Sequence, residues 1–304
     1  MEIEAMVSEQ AALAAEYASS PPARSAVPAL MIRCSAEPTA PVPALFEPVF
    51  YVVLQGSKRL TFAGRTHDFG AGTCAVASVG LPFVSQVIEA SAAKPYVGAE
   101  LRLDPGVVAD LLMTLPDASE REAPSFAAAP AESEILEPFG RMLRLLATPA
   151  DAPVLAGPFA RELCYRLLQG PLGDTLGQVG RRGSRFAQIR AAADWIGCNA
   201  NKPLSVKRLA GDVGMSSTSL HRHFKAVTGY SPLAYQRYLR LLEARRILHA
   251  GNTPVTTTAF TVGYASPSQF SREYKRMFGE PPVRDIKLRE PLRSRNSLHL
   301  VSHL

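Results

Sequence analysis

The chain has 304 residues, of which 47% are apolar and 20% charged, with a formal net charge of +6. That is enough for two ordinary domains with cores of their own, and it excludes a disordered or fibrous chain. The charge is divided unevenly: residues 1–180 carry 12 Lys+Arg against 20 Asp+Glu, a net of −8, whereas residues 181–304 carry 21 against 7, a net of +14. The second half is therefore expected to meet a polyanion.

The first residues, MEIEAMVSEQAALAAEY, are acidic where a signal peptide is basic. No window approaches the ~18 apolar residues of a membrane span. A cytoplasmic chain with no membrane partner is expected. Proline gathers in SSPPARSAVPALM and AEPTAPVPALFEP, which predicts extended chain with turns; residues 1–24 read as an N-terminal arm.

From Val49 the text becomes a series of short runs rich in β-branched and aromatic residues, PVFYVVLQ, KRLTFA, RTHDFG, TCAVASV, VSQVIEAS and PYVGAELRLD, separated by glycine-containing turns. Short strands at this spacing predict a small antiparallel barrel or sandwich over residues 25–115. FGAGT is followed by a strand and not a helix, so it reads as a turn and not a phosphate loop. His67 is the one histidine among residues 1–180; it cannot assemble an imidazole metal site alone and is expected on the surface. Cys34, Cys74, Cys164 and Cys198 show no metal or redox spacing and read as free thiols. No cofactor is expected.

Residues 116–171 turn helical. Ile135, Leu136, Phe139, Met142, Leu143 and Leu146 make one apolar face, and Phe159, Leu163 and Leu167 another. These helices either pack back on the strands or form a subunit contact. GPLGDTLGQVGRRGSR, with five glycines, predicts a flexible linker at 172–185.

The basic half, residues 186–290, contains the same unit twice. In PLSVKRLAGDVG, Ser205 caps a short helix with Val206, Leu209, Ala210 and Val213 on one stripe, and Gly214 ends it. Ser216 caps a second helix. Leu220 and Phe224 point inward from it, while Thr218, His221, Arg222 and Lys225 form a polar stripe at i, i+3, i+4 and i+7. The second copy has Val255, Ala259 and Val262 on its supporting helix, with Gly263 at the turn. Then Ser266 is the cap, Pro267 opens the helix and Gln269 completes an S-x-x-Q capping box. Phe270, Tyr274 and Phe278 turn inward; Ser268, Ser271, Arg272 and Lys275 turn outward. Each copy is a helix-turn-helix whose second helix suits a major groove. Between them, SPLAYQRYLRLLEARRILHAG predicts a helix of roughly 27 Å. That approaches the ~34 Å turn of B-DNA, so both reading helices can enter successive major-groove segments. Residues 291–304 read as a flexible tail.

The stretch from about Phe186 to Ile286 resembles the double helix-turn-helix DNA-binding domain of the AraC/XylS family of bacterial transcription regulators. FEPVFYVVLQGSKRL and the runs after it are similar to the cupin-like N-terminal domain of one subgroup of that family. The resemblance implies an α+β multidomain chain, with a cupin-like antiparallel β-barrel and following helices in front of an all-α reading domain. It implies base contacts from Thr218, His221 and Arg222 in the first copy and from Ser268, Gln269 and Arg272 in the second. Phosphate contacts fall to Lys225, Lys275 and Arg276, with Ser216 and Ser266 at the helix starts. Double-stranded DNA is the expected partner, with a small-molecule effector, a homodimer and RNA polymerase implied by the family. Arg222 and Arg272 could instead bind phosphate or pair with an acid such as Glu273, and His221 could cover a neighbouring helix. A non-specific architectural DNA binder and an enzyme carrying a DNA-reading domain stay open as alternatives.

Overall fold

The structure is a computed structural model that describes residues 2–19, 27, 29–115, 123–181, 183–251 and 253–289. The expected tail at 291–304 and residues 20–24 of the expected arm lie outside these. The chain divides into two compact units, residues 1–41 with 46–187 and residues 42–45 with 188–304.

The first unit contains α1 (Glu2–Ser19), β1 (Leu30–Ser35), β3 (Val49–Gln55), β4 (Ser57–Phe62), β5 (Arg65–Gly70), β6 (Thr73–Ala77), β7 (Leu81–Glu89), β8 (Tyr96–Arg102), α2 (Pro105–Thr114), β9 (Phe126–Pro130), α3 (Ser133–Arg144), α4 (Ala152–Gln169) and α5 (Gly173–Gly180); of β2 (Val42–Phe46) only Phe46 belongs to it. The larger sheet has the order β1-β8-β3-β6-β9, and in a second sheet β4 lies between β7 and β5. Pairing is antiparallel: Tyr51 on β3 faces Glu100 on β8, and Phe50 faces Val76 on β6. The antiparallel architecture agrees with the sequence. Among the described residues no closed barrel forms, however, because closure needs the outer strands to pair, and β1 and β9 stand at opposite ends of the larger sheet.

Alternation along β3 sends Phe50, Val52 and Leu54 to one face. There they join Val97, Ala99 and Leu101 of β8, Val7, Ala11 and Ala14 of α1, and Ile135, Leu136, Phe139, Met142 and Leu143 of α3 in one core. Each such large side chain contributes about 1.5–3 kcal/mol when fully buried. The expected arm thus includes an 18-residue helix. Its start carries Glu2 and Glu4, which suit the positive end of the helix dipole. Its small apolar residues at i, i+4 and i+7 let it lie close to the sheet.

The expected linker is also structured. Gly173–Gly180 forms α5, with Thr175, Leu176 and Val179 buried. Here glycine permits close packing, for a side chain at Gly180 would run into the α2 backbone at Val108 and Ala109.

The second unit is helical: α6 (Arg185–Cys198), α7 (Val206–Asp212), α8 (Ser217–Thr228), α9 (Pro232–Ala250), α10 (Val255–Thr261), α11 (Pro267–Phe278) and α12 (Pro282–Arg289). Phe224 of α8 meets Tyr235 of α9 edge-on, with ring centres 5.3 Å apart. Leu241, Ala244 and Leu248 of α9 form a second core with Ala259, Val262, Phe270 and Tyr274.

Candidate nucleic-acid interface

The two reading helices are built by the same local chemistry. In the first copy Gly214 adopts φ +71°, and the following N–H of Met215 donates to Ala210 O at 2.8 Å. In the second, Gly263 adopts φ +88° and Tyr264 N–H donates to Ala259 O at 2.9 Å. Each turn is left-handed, which glycine adopts without the Cβ penalty. Each reading helix then starts at a serine cap: Ser216 Oγ accepts from Ser219 N at 3.2 Å, and Ser266 Oγ from Gln269 N at 3.3 Å.

Burial sorts the faces. Leu220 and Phe224 on α8, and Phe270 and Tyr274 on α11, are fully buried. Thr218, His221, Arg222 and Lys225 on α8 are exposed, as is Ser216. On α11 Ser268, Gln269, Arg272, Lys275 and Arg276 are exposed, whereas Ser266 and Ser271 are half-buried. The structure therefore brings each predicted set onto one open helix face. Two side chains carry local bonds: Arg222 Nη2 lies 3.1 Å from His223 Nε2, and Gln269 Nε2 donates to Glu273 Oε1 at 3.2 Å. Glu273, named as a rival partner for the arginines, is instead engaged by Tyr264 Oη at 2.8 Å and Arg237 Nε at 3.3 Å. No ion pair holds Arg272 among the described residues, so its fork is open to a ligand.

What fixes one copy against the other is a set of polar side chains on α9 that sequence reasoning missed. Gln236 Nε2 donates to the carbonyls of Ala200 at 3.0 Å and Lys202 at 2.7 Å. One turn on, Arg240 donates to Ala200 O at 2.6 Å, Lys202 O at 2.9 Å and Gly263 O at 2.8 Å. One helix thus grips the loop before α7 and the turn before α11 together. Charge-assisted bonds of this kind are about twice as strong as neutral ones.

A second polar hub lies under α11. Asp285 of α12 accepts from both Arg245 Nε and Arg245 Nη2 at 3.0 Å and from Tyr274 Oη at 2.7 Å, and it lies 3.0 Å from His249 Nε2. The Asp285 and Arg245 side chains are each 8% exposed. Burial by itself would raise the Asp285 pKa, but the bonds from His249, Arg245 and Tyr274 outweigh it and hold the carboxyl well below its ordinary range. Tyr274 belongs to the reading helix, so this hub ties α11 to α9 and α12. The signal available in the sequence was the spacing of Gln236 with Arg240, and of Arg245 with His249, at i and i+4 along α9.

The comparisons agree with this geometry. A family model described as the AraC-type transcriptional regulator N-terminus matches residues 26–175, and a helix-turn-helix domain model matches residues 209–286. The HTH-type transcriptional activator RhaS of Pectobacterium atrosepticum is 31% identical over 105 residues, which make up 34% of this chain but only 38% of RhaS. The multiple antibiotic resistance protein MarA of Escherichia coli K12 is 32% identical over 104 residues, 34% of this chain and 82% of MarA. The structure of unsaturated-fatty-acid-bound wild-type ToxT from Vibrio cholerae is similar in fold, with a TM-score of 0.57 at 10% identity over 84% of this chain and 94% of that one. With models matched in both units, and a relative matched over most of its own length, the chain belongs to the AraC-type transcriptional regulators.

Proposed function

We propose that the chain is a cytoplasmic, sequence-specific regulator of transcription that sets α8 and α11 into successive major-groove segments of double-stranded DNA. The observation that carries this reading is the repeated sorting of two capped helices into a buried apolar face and an open polar face, joined by the α9 clamp. Thr218, His221, Arg222, Ser268, Gln269 and Arg272 take the base edges. Lys225, Lys275 and Arg276, with Ser216 and Ser266, take phosphates. Activation is the proposed sign of regulation, and RNA polymerase the proposed partner at the promoter. The first unit is proposed to hold a small effector and to support a homodimer. An effector that binds two arrangements of that unit unequally shifts DNA affinity, and DNA shifts effector affinity by the same factor. The reading assigns no catalysis.

The test is selection from a random DNA pool, followed by comparison of the selected site with a scrambled one at fixed salt. Specific binding is expected to be tighter by at least ~10³. A ratio near one identifies an architectural binder. Arg222→Ala is expected to relax preference at one base position at a cost of about 1–3 kcal/mol, whereas Lys225→Ala weakens all sequences alike and lowers the salt slope by about one. Equal loss on every sequence for Arg222→Ala would remove the base-reading assignment.

A further inference from the structure

The first unit holds a charged group that DNA reading does not use. On the face of the larger sheet turned away from its helices, Tyr51 pairs across with Glu100, and Arg33 of β1 pairs across with Gly98. Tyr96, Gly98 and Glu100 alternate along β8 and so share this face. Lys58 reaches it from β4 of the other sheet. Along that strand Lys58 and Leu60 are buried and Arg59 between them is exposed, and Lys58 Nζ lies 4.6 Å from the centre of the Tyr51 ring.

Lys58 is only 6% exposed, yet no carboxylate stands within ion-pair distance of it among the described residues. The acid that acts on it, Glu100, is engaged by Arg33 at 3.4 Å. Glu100 thus meets Arg33 directly and acts on Lys58 only at longer range. Burying an ammonium without a counter-charge is costly. Its pKa reflects this: burial pulls it down to about 8, with Glu100 opposing and Arg33 adding to the effect.

The surroundings supply the rest of a site. The Tyr51 and Tyr96 hydroxyls, both in buried residues, bond to each other. They meet over Gly98, where any side chain would collide with both. Beside Tyr51 the wall is aromatic: Phe46 stacks on Phe83 with ring centres 3.8 Å apart and lies 6.5 Å from the Tyr51 ring.

We infer that Lys58, with the Tyr51 and Tyr96 hydroxyls, binds the carboxylate of a small organic acid whose apolar body lies against the Phe46 and Phe83 rings. A single unmatched positive charge is balanced by one negative charge, which favours a monocarboxylate over a phosphate dianion. The aromatic wall favours an organic acid over an inorganic anion. The inference rests on the proposal that the first unit takes an effector, and it names the chemistry of that effector.

The experiment is thermal unfolding of the full chain with benzoate and with straight-chain carboxylates of four to ten carbons, each beside its uncharged amide. The expected result is a saturable rise in Tm with at least one acid and none with its amide, in line with ligand linkage. Lys58→Met should raise the Tm of the free protein, since an unmatched buried charge is gone, and should abolish the response. Lys58→Arg keeps the charge and should retain a response at least tenfold weaker, which decides the matter should the methionine variant fail to fold. A wild-type chain indifferent to every acid, an equal response to the amides, or an unchanged response in Lys58→Met overturns the inference. Preference for selected over scrambled DNA is measured on the same samples. A chain that keeps that preference and ignores all acids refutes the Lys58 site alone, whereas loss of the preference refutes the DNA reading and leaves the acid response to be judged separately.

Discussion

Replacing Asp285 with alanine is expected to lower the stability of the second unit by about 3–5 kcal/mol, the usual cost of removing one partner from a buried ion pair. The geometry puts Asp285 at the high end. It is the common acceptor for Arg245, Tyr274 and the nearby His249, so its loss leaves a buried guanidinium without its carboxylate and removes the acceptor of the Tyr274 hydroxyl. Trp195, the only tryptophan of the chain, lies on α6 and gives a fluorescence probe of this unit. Binding to the selected DNA site should fall with stability, because Tyr274 no longer anchors the second reading helix. Removing both charges, by Asp285→Leu with Arg245→Met, should cost less than the two single changes added together, since neither charge is then left alone. Strict additivity would show that the hub does not act as a pair.

The same group sets a pH dependence. The Asp285 carboxyl has a folded pKa below the ordinary 3.8, so the unfolded chain binds its proton first as pH falls. Its contribution is complete above that ordinary value and is lost as pH drops through it toward the lower folded value. Below pH 4 the difference in Tm between the native chain and Asp285→Asn should shrink. A difference that shrinks already between pH 7 and 5 would point to a group other than this carboxylate.

Much of the reading unit was legible because its determinants are local. Caps at Ser205, Ser216 and Ser266, stops at glycine, and a helical period of apolar residues each act within a few positions. The clamp and the hub were not legible, because they join residues far apart in sequence: Gln236 bonds to Ala200 and Arg245 to Asp285. Apolar character does not by itself mark the inward side of this rod, for Leu233 is 48% exposed while Gln236 and Arg245 are buried. Similar reasons apply in the first unit. Phe126–Pro130 is β9, but FAAAP has little β-branched character and earns its place only by pairing with β6. Leu30–Ser35 and Val42–Phe46 fall within the expected 25–115 strand region, but among prolines that individually suggested only extended chain with turns. The α5 glycines resemble a linker until α2 is known to lie against them. The Lys58 group escaped notice because a lysine in a strand ordinarily faces water, and only the second sheet shows that this one does not.

The duplicated turns look alike in sequence, and they are expected to respond differently to the same substitution. An alanine at Gly214 must accept φ +71°, and its Cβ would meet only the end of the Gln188 side chain, at 3.4 Å. The expected cost is about 1–2 kcal/mol, that of a left-handed residue with a Cβ. Gly263 has φ +88°, and there the new Cβ would collide with the backbone carbonyl of Asn201. That carbonyl belongs to the loop that Gln236 and Arg240 hold through Ala200 and Lys202, so it cannot withdraw without breaking the clamp. Overpacking then adds about 1–3 kcal/mol to the backbone strain, for a total of about 3 kcal/mol or more. Gly279→Ala, with φ +85° and no neighbour within 4 Å, is the control that isolates the strain. Denaturant unfolding followed by Trp195 emission should rank Gly263→Ala well above the other two in lost stability. Equal losses at all three glycines would mean that the turn before α11 is not braced by the loop before α7, and the fixed spacing of the two reading helices would lose its structural basis.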